Sequence, residues 1–451
     1  MSDSLAASLR EQLRQSGVSE GQRVTVALSG GVDSVVLLHL TGRVAAQLGL
    51  QLSAIHVNHQ LQTQAAAWVA FCQRVCDGMR IPLSVVTLRL ERAGGESLEA
   101  VARAGRYDAF DAFETDCLLL AQHADDQAET ILLQLLRGAG VAGLAAMPAR
   151  QARNGKVWLR PFLTCARREI ESYARQNGLQ WVEDPSNANC DFDRNFLRHR
   201  IMPQLLERFP AALETLGRTA RHMAEARQLL DAHAAQAGCV QDTALALDCW
   251  RSLALEQQRN VLRYWLTQQG VRAPSERRLQ EIFRQLLQSR PDSQPKVDLG
   301  RGLSLRRYRA KAWVVEQHAP MPPGLQLSWS GESRLELPER AGSLHFTSAE
   351  GSGLCARQLQ GKAVTIRFRR GGERLRLAHA GPGKSLQHWF QERGIPPWQR
   401  DRIPLIYADD VLVWVAGLGA AAAYAAAAGE AGVEITYATA CSRYLSGCRQ
   451  A

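Results

Sequence analysis

Apolar residues follow two rhythms in the amino-terminal third of the chain. Short continuous runs at Val24–Leu28, Leu52–Val57, Leu83–Leu88 and Cys117–Ala121 are rich in Val, Ile and Leu and read as buried strands. The stretches between them, DSVVLLHLTGRVAAQLG, AAAWVAFCQRVCDGM and SLEAVARAGRYDAFDAF, repeat apolar positions every three or four residues and read as amphipathic helices. Strand alternating with helix predicts an α/β fold. Its parallel sheet is covered on both faces and binds ligands beyond the carboxyl ends of the strands.

Helical patterning dominates further on. Pro203 to Gly238 predicts one or two long helices, and EQQRNVLRYWLTQQG and SERRLQEIFRQLLQS predict two more. A zone richer in Gly, Ser and Pro, from Gly324 to Gly353, predicts short strands, and a basic segment follows. We expect three domains, 1–215, 216–353 and 354–451, the middle one mainly helical, and find no internal repeat. Val411–Gly429 holds 19 residues without a charge, the length of a membrane span. Nine of them are Ala, three are Gly and only five are Val or Leu. A strand at Val411–Leu418 followed by an alanine tract over 420–428 explains the stretch better.

Composition narrows the classes. At 451 residues, 46% apolar and 22% charged, the chain is no disordered polymer. The formal net charge of +10 points to a polyanionic partner. Residues 361–405 carry ten Lys or Arg against three acids, a net +7, so most of the excess sits in a tenth of the length. That segment is either an RNA-facing surface or a solvated basic face. Trp389, Phe390, Trp398 and Tyr407 interleave with it, and we assign Trp398 and Tyr407 to a small core. The ten cysteines show no C-x-x-C spacing, no disulfide framework and no zinc pattern, which fits a reducing cytoplasm. Cys72 and Cys76, four apart on one helix, read as small buried hydrophobes. The opening MSDSLAASLREQLRQSG carries acids and no apolar core segment, unlike a signal peptide.

The candidate chemistry starts where the first strand breaks into Ser29-Gly30-Gly31-Val32-Asp33-Ser34 and the chain then turns apolar again. Paired glycines let the backbone approach a pyrophosphate, and the unpaired N–H groups of the next helix attract anions. Ser29 and Ser34 add hydroxyls. Asp33 would repel bare phosphate, so it either meets Mg²⁺ or caps local backbone. The plainer explanation is a glycine turn whose Ser or Asp caps the helix. The Lys of a Walker A loop is missing here. Gly381-Pro382-Gly383-Lys384-Ser385 has one but lacks the motif's first glycine, which falls on Ala378.

Ser29–Ser34 is similar to the PP-loop of ATP pyrophosphatases, enzymes that use ATP to adenylylate an oxygen and release pyrophosphate. Further motifs are HVNHQL from His56, EAVARAGRY from Glu99 and AQHADDQAETILLQLLRGAGVAGLAAM from Ala121. They continue with RPFL from Arg160, WVEDPSNANCDFDRNFLRHRIMPQL from Trp181, RRGGERLR, and FQERGIPPWQRDRIPLIY. Together they make the chain resemble the tRNA(Ile)-lysidine synthetases, densely over residues 1–200 and more loosely at the carboxyl end. The resemblance implies a Rossmann-like PP-loop catalytic domain, a helical tRNA-binding or linker domain and a small basic α+β tRNA-binding domain. It also implies ATP and Mg²⁺, free L-lysine, and an isoleucine tRNA with a CAU anticodon as partners. No membrane is implied, a homodimer is left open, and the location is cytoplasmic.

The same resemblance distributes roles. Ser29, Gly30, Gly31, Val32, Asp33, Ser34 and His56 would hold ATP. Arg103, preferred over Arg106, would lie near the α-phosphate, with Glu99 four residues earlier in position to pair with it. His123, Asp126 and Glu129 join Asp33 and Arg103 as catalytic candidates, and Asp33 and Asp126 are the Mg²⁺ candidates. Asp126 and Glu129, three apart, would accept lysine's ammonium, and either is a candidate base. Asp125 reads as a helix cap, and His59 as an ATP or base contact or a strand-end histidine. Arg194 and Arg198, within a polar cluster that includes Asn195, His199 and Arg200, would face substrate. Arg369, Arg370 and Arg374 would grip tRNA phosphates. The nearest rival is a PP-loop tRNA thiolase, but isolated Cys117 and Cys165 do not supply its paired cysteines. An amidating synthetase has no use for the basic segment, and a non-catalytic RNA binder has no need of Asp33, Asp126 and Glu129.

Overall fold

The computed structural model describes residues 2–60, 64–88, 98–271, 274–288, 295–300, 302–377 and 382–438. The chain forms two compact units, Met1–Leu230 and Asp231–Ala451. Gly381, and with it the opening of the Walker-like decoy, lies outside the described residues, as do the side chain of Glu99 and positions 439–451.

In the first unit α1 (Ser2–Gln15) precedes the alternation β1 (Arg23–Ala27), α2 (Val32–Leu48), β2 (Gln51–Asn58), α3 (Ala65–Met79), β3 (Leu83–Thr87), α4 (Leu98–Ala112), β4 (Cys117–Leu119) and α5 (Ala124–Leu136). A short α6 (Val141–Leu144), a hairpin of β5 (Arg150–Arg153) and β6 (Lys156–Leu159), and α7 (Arg167–Gln176) follow. The sheet order is β3-β2-β1-β4-β6-β5, parallel throughout except for the β5–β6 hairpin. Val24, Val26 and Cys117 pack with α1, α2 and α7 on one face. Ile55, Leu118 and Leu120 pack with Phe110 and Trp158 on the other. Burial on both faces explains why the strands read as unbroken apolar runs. The hairpin turns at Asn154 and Gly155, both at positive φ, as a two-residue I′ turn requires.

The order of strands reverses at β1, with β2 on one side and β4 on the other. Connections leaving the carboxyl ends of β1 and β4 therefore open a crevice between them. The predicted loop follows β1, and His123 follows β4. Further along, α8 (Asp193–Phe196), a π-helical turn at Leu197–Ile201, α9 (Met202–Arg208) and the long α10 (Ala212–Gln236) complete the helical part.

The second unit has two cores. One buries Trp250, Trp265, Leu262, Ile282 and Val314 beneath helices at Leu247–Arg251, Leu255–Gln268 and Glu276–Gln288. Those helices carry an antiparallel sheet, Val240–Gln241, Ala244–Ala246, Lys311–Glu316, Leu303–Tyr308 and Lys296–Gly300, that helical patterning did not predict. Cys239 and Cys249 are joined in a disulfide, Cα–Cα 5.4 Å. This corrects the expectation of thiols alone: a turn between the two short strands returns the chain alongside itself. Cys72 and Cys76 are fully buried, as expected.

The other core belongs to a strand-rich region with five- and four-stranded antiparallel sheets, and Phe390, Leu386 and Trp389 lie inside it. Val411–Val415 is one of its strands, with Val413, Trp414 and Val415 buried. Among the described residues no helix is long and apolar enough to cross a membrane. Tyr407 packs half-buried against this core, as assigned, under the guanidinium of Arg367, and Trp389 and Phe390 lie within it; Trp398 lies outside it, half-buried under the guanidinium of Arg306.

Candidate active site

The turn after β1 is braced by its own side chains. Ser34 Oγ accepts from the amides of Ser29 and Gly30, both at 3.2 Å, and donates to the Gly31 carbonyl at 2.9 Å. Its hydroxyl therefore organises the loop from within, while Ser29 Oγ lies 3.1 Å from it. The glycines differ in kind. Gly30 sits at φ +92°, and a Cβ there would meet Val182 Cγ2 at 2.9 Å and Cys72 Sγ at 3.2 Å. A Cβ on Gly31 would meet only Ser29 Oγ, at 3.6 Å, so its value is open approach from outside. Gly31 is the N-cap of α2 and no side chain caps that helix. The first-turn amides at Val32 and Asp33 consequently lack intrahelical acceptors and face the crevice with the positive dipole end behind them.

α5 starts in the opposite state. His123, 2% exposed, is its N-cap: Nδ1 accepts from the Asp126 amide at 3.4 Å, and Asp126 Oδ2 accepts from the His123 amide at 3.1 Å. The imidazole lies among three carboxylates, Asp125 Oδ2 at 3.5 Å, Asp126 Oδ2 at 3.4 Å and Asp33 Oδ2 at 3.8 Å. Burial opposes its charge, but the bond to Asp125 and the charges of Asp126 and Asp33 outweigh burial and raise its pKa. Protonated, Nδ1 donates to Asp125 instead of accepting from the Asp126 amide. Asp33 is pushed up by burial, against the pull of His123 and Arg167, and its Oδ1 is buried without a hydrogen-bond partner. Asp125 also accepts from the Arg167 amide at 2.9 Å.

Beyond this cluster lies an ionic quartet built around one buried carboxylate. Glu129 is 1% exposed. Its Oε2 accepts from Arg194 Nε at 2.7 Å and its Oε1 from Arg198 Nε at 2.6 Å. Asp126 Oδ1 accepts from Arg194 at 2.9 Å and from Arg198 at 3.0 Å. Asn195 Nδ2 donates to the Ser186 and Asn189 carbonyls, and His199 Nε2 bonds the Asn187 carbonyl, so the EDPSN stretch and the arginine segment form one piece.

Asp33, His123, Asp126, Glu129, Arg194 and Arg198 are thus brought together. His56 is placed differently: its Nδ1 donates to the Leu28 carbonyl at 2.9 Å, bracing the end of β1, and burial lowers its pKa. His59 accepts from Arg106 at 2.9–3.1 Å, and burial and that guanidinium lower it to about 4. Arg103 is exposed on α4 and donates to the Tyr107 hydroxyl at 3.4 Å, with no described contact to the loop. Arg200 is exposed. In the second unit Arg369 pairs with Asp401 at 3.5 Å and Arg374 donates to the Gly383 carbonyl, while Arg370 is exposed. Sequence reasoning missed Arg167, which lies in no quoted motif, and Val182, which lies in the WVEDPSN stretch but carries no signal that names the loop as its contact. Among the described residues no group of three or more His, Cys, Asp or Glu is arranged to hold a metal by itself.

Comparison with known proteins places the chain in a family. A PP-loop domain model matches residues 1–205, a TilS substrate binding domain model residues 245–313, and a TilS substrate C-terminal domain model residues 364–437. The tRNA(Ile)-lysidine synthase of Nitrosomonas europaea is 42% identical over 97% of this chain and 95% of its own length. That of Methylococcus capsulatus is 39% identical over 89% and 93%. A U34-tRNA thiolase from Methanococcus maripaludis, solved with its [4Fe-4S] cluster, is 17% identical over 49% of this chain and 78% of its own, with a TM-score of 0.45. That likeness is too slight to support any inference. With three domain models in register along its length and relatives of this similarity, the chain belongs to the tRNA(Ile)-lysidine synthase family.

Proposed function

We propose that the chain joins free L-lysine to C2 of the wobble cytidine in the CAU-anticodon isoleucine tRNA, converting ATP to AMP and pyrophosphate. The cytosine O2 attacks the α-phosphorus and pyrophosphate leaves. The lysine ε-amine then attacks C2, the C2–O2 bond breaks, and AMP carries the oxygen away. Decoding shifts from AUG to AUA. The observation that carries this reading is the pairing of two helix starts across one crevice. The uncapped start of α2 suits phosphates. The carboxylates on α5 suit cations, since two guanidiniums already lie 2.6–3.0 Å from Asp126 and Glu129. Lysine's ammonium has the same charge and donor character.

In this reading the loop amides and Ser29 hold the phosphates, and Arg103 reaches the α-phosphate from α4. Asp126 or Glu129 takes the proton that the ammonium must lose before it attacks. The buried, unpartnered Asp33 Oδ1 is the hard oxygen donor that fits Mg²⁺. Asp126, with Oδ1 already on two arginines, is the weaker candidate. Mg²⁺ held there would supply charge neutralisation to the phosphates. A cytoplasmic setting accords with a tRNA substrate. The thiolase alternative requires paired reactive cysteines, but the sequence has no C-x-x-C, and burial pushes Cys72 and Cys117 up to about 12 and Cys165 to about 11.

Purified protein given ATP, Mg²⁺, radiolabelled lysine and that tRNA is expected to label the RNA and release AMP and pyrophosphate. Sulfur incorporation without lysine labelling would overturn the reading in favour of the thiolase.

Asp33→Asn is expected to lower pyrophosphate release by two orders of magnitude or more, on the order of the loss seen when one electrostatic contact to a transition state is removed. tRNA retention on filters should be unchanged.

His123 should titrate above the ordinary imidazole value of about 6.5, read by NMR, and Asp126→Asn should bring it down. Since its folded pKa is raised, its stabilising contribution is full below that ordinary value. The contribution disappears as pH rises through the folded pKa.

Replacing Arg369, Arg370 and Arg374 with Gln should weaken tRNA binding and flatten its salt dependence, by about one unit of slope for each arginine that meets a phosphate. Binding measured between low and moderate salt checks this, and an unchanged slope would remove these residues from the interface.

A further inference from the structure

Two phenylalanines stand exposed on the segment that carries Arg194 and Arg198. Phe192 and Phe196 are 45% and 46% exposed. The Phe196 amide bonds the Phe192 carbonyl at 2.9 Å, so the two residues stand one turn apart, Phe192 as the N-cap of α8 and Phe196 as its last residue. Arg194, between them in sequence, reaches Asp126 and Glu129. Arg137 at the end of α5 bonds Asp193 at 3.1 Å, which ties this turn to the helix bearing those carboxylates. The segment from Phe192 to Arg208 holds four Arg, at 194, 198, 200 and 208, against Asp193 and Glu207. His199 and Arg200 are exposed just past the second ring. Exposed aromatic faces on the segment that reaches Asp126 and Glu129 suit unpaired nucleobases, whose flat faces stack while their phosphates meet exposed Arg200.

We propose that Phe192 and Phe196 form a stacking platform for the unpaired bases flanking the reacting nucleotide in the anticodon loop. This rests on the reading of the Asp33–Glu129 crevice as the place where a tRNA base is modified. A base must leave its stack to reach those carboxylates. The platform replaces the lost stacking for its neighbours and so fixes which loop nucleotide enters. The two rings are specificity-determining positions rather than catalytic ones: they touch RNA, not the reacting atoms.

The test compares the full-length protein with its F192L/F196L and F192Y/F196Y variants. Leucine keeps apolar bulk but has no ring face, whereas tyrosine keeps the face. The RNA is the CAU-anticodon isoleucine tRNA with 2-aminopurine replacing the adenine next to the wobble cytidine. Binding to the wild type and the tyrosine pair is expected to quench the 2-aminopurine. The leucine pair should leave it bright and raise the KM for tRNA roughly ten- to hundredfold, with the KM for ATP unchanged. Equal quenching and KM in the leucine pair and the wild type would overturn the proposal. So would an equal fall in both variants, which marks these rings as mere packing. The fluorescence reads stacking directly, so a wild type that quenches but never incorporates lysine would fail the functional reading and leave the platform standing.

Discussion

Taking the Glu129 carboxylate out of water costs several kcal/mol unless cations and hydrogen bonds replace its solvent. Arg194 and Arg198 do so, two from one side, and both extend to Asp126. The two arginines are four residues apart, and the chain between and after them passes from α8 into a π-helical turn. That spacing lets two guanidiniums reach one carboxylate pair. Removing one member would leave the others charged and unmatched, so the quartet fixes the α8 segment to α5 across more than sixty residues of sequence. Phe192 and Phe196, the EDPSN stretch and the start of α9 inherit their placement from it.

The crevice is also polarised along its length. At α2 the first-turn amides carry no cap and the local field is positive. At α5 the same kind of helix start is closed by the His123–Asp126 capping box and lined with carboxylates. Asp33 stands between them, projected from the anion-seeking helix toward the imidazole of the other. Two helices leaving adjacent parallel strands would ordinarily offer two equivalent anion sites. Here capping removes one of them, so an anionic and a cationic group can lie side by side in the same opening.

Much of this was legible beforehand because it is local. The helix at 65–79 coincides with α3, and the alternation of runs gave the parallel sheet, since buried strands and amphipathic helices announce themselves by period. The turn after β1 was readable from its glycines, although only the structure separates Gly30, required by φ and Val182, from Gly31, where a Cβ would meet only Ser29 Oγ. What escaped was non-local. Nothing in the spacing of Arg194 and Arg198 names Asp126 and Glu129 as partners, and Arg103 turns to Tyr107 within its own helix. The strands at 240–246 and 296–316 are short or flanked by helical patterns, so periodicity passed over them. The β5–β6 hairpin carried its own signal in Asn154-Gly155, which motif reading overlooked.

Charge counting in the basic segment needs the same distinction between sum and placement. The net +7 of residues 361–405 already includes the acids that pair within it, such as Glu392 with Lys384 and Asp401 with Arg369, so those pairings remove none of it. Folding changes where the charge lies. Arg400 is buried, donating to the Ile395 carbonyl and the Tyr308 hydroxyl, and Arg367 lies over Tyr407 with Asp410 beside it. Such groups add to the long-range field that draws a polyanion in but do not touch phosphates. The salt dependence of binding counts only contacts that displace counterions. A polyanion meeting this surface should therefore feel a pull set by the whole net charge, and a salt slope set by the smaller set of exposed arginines.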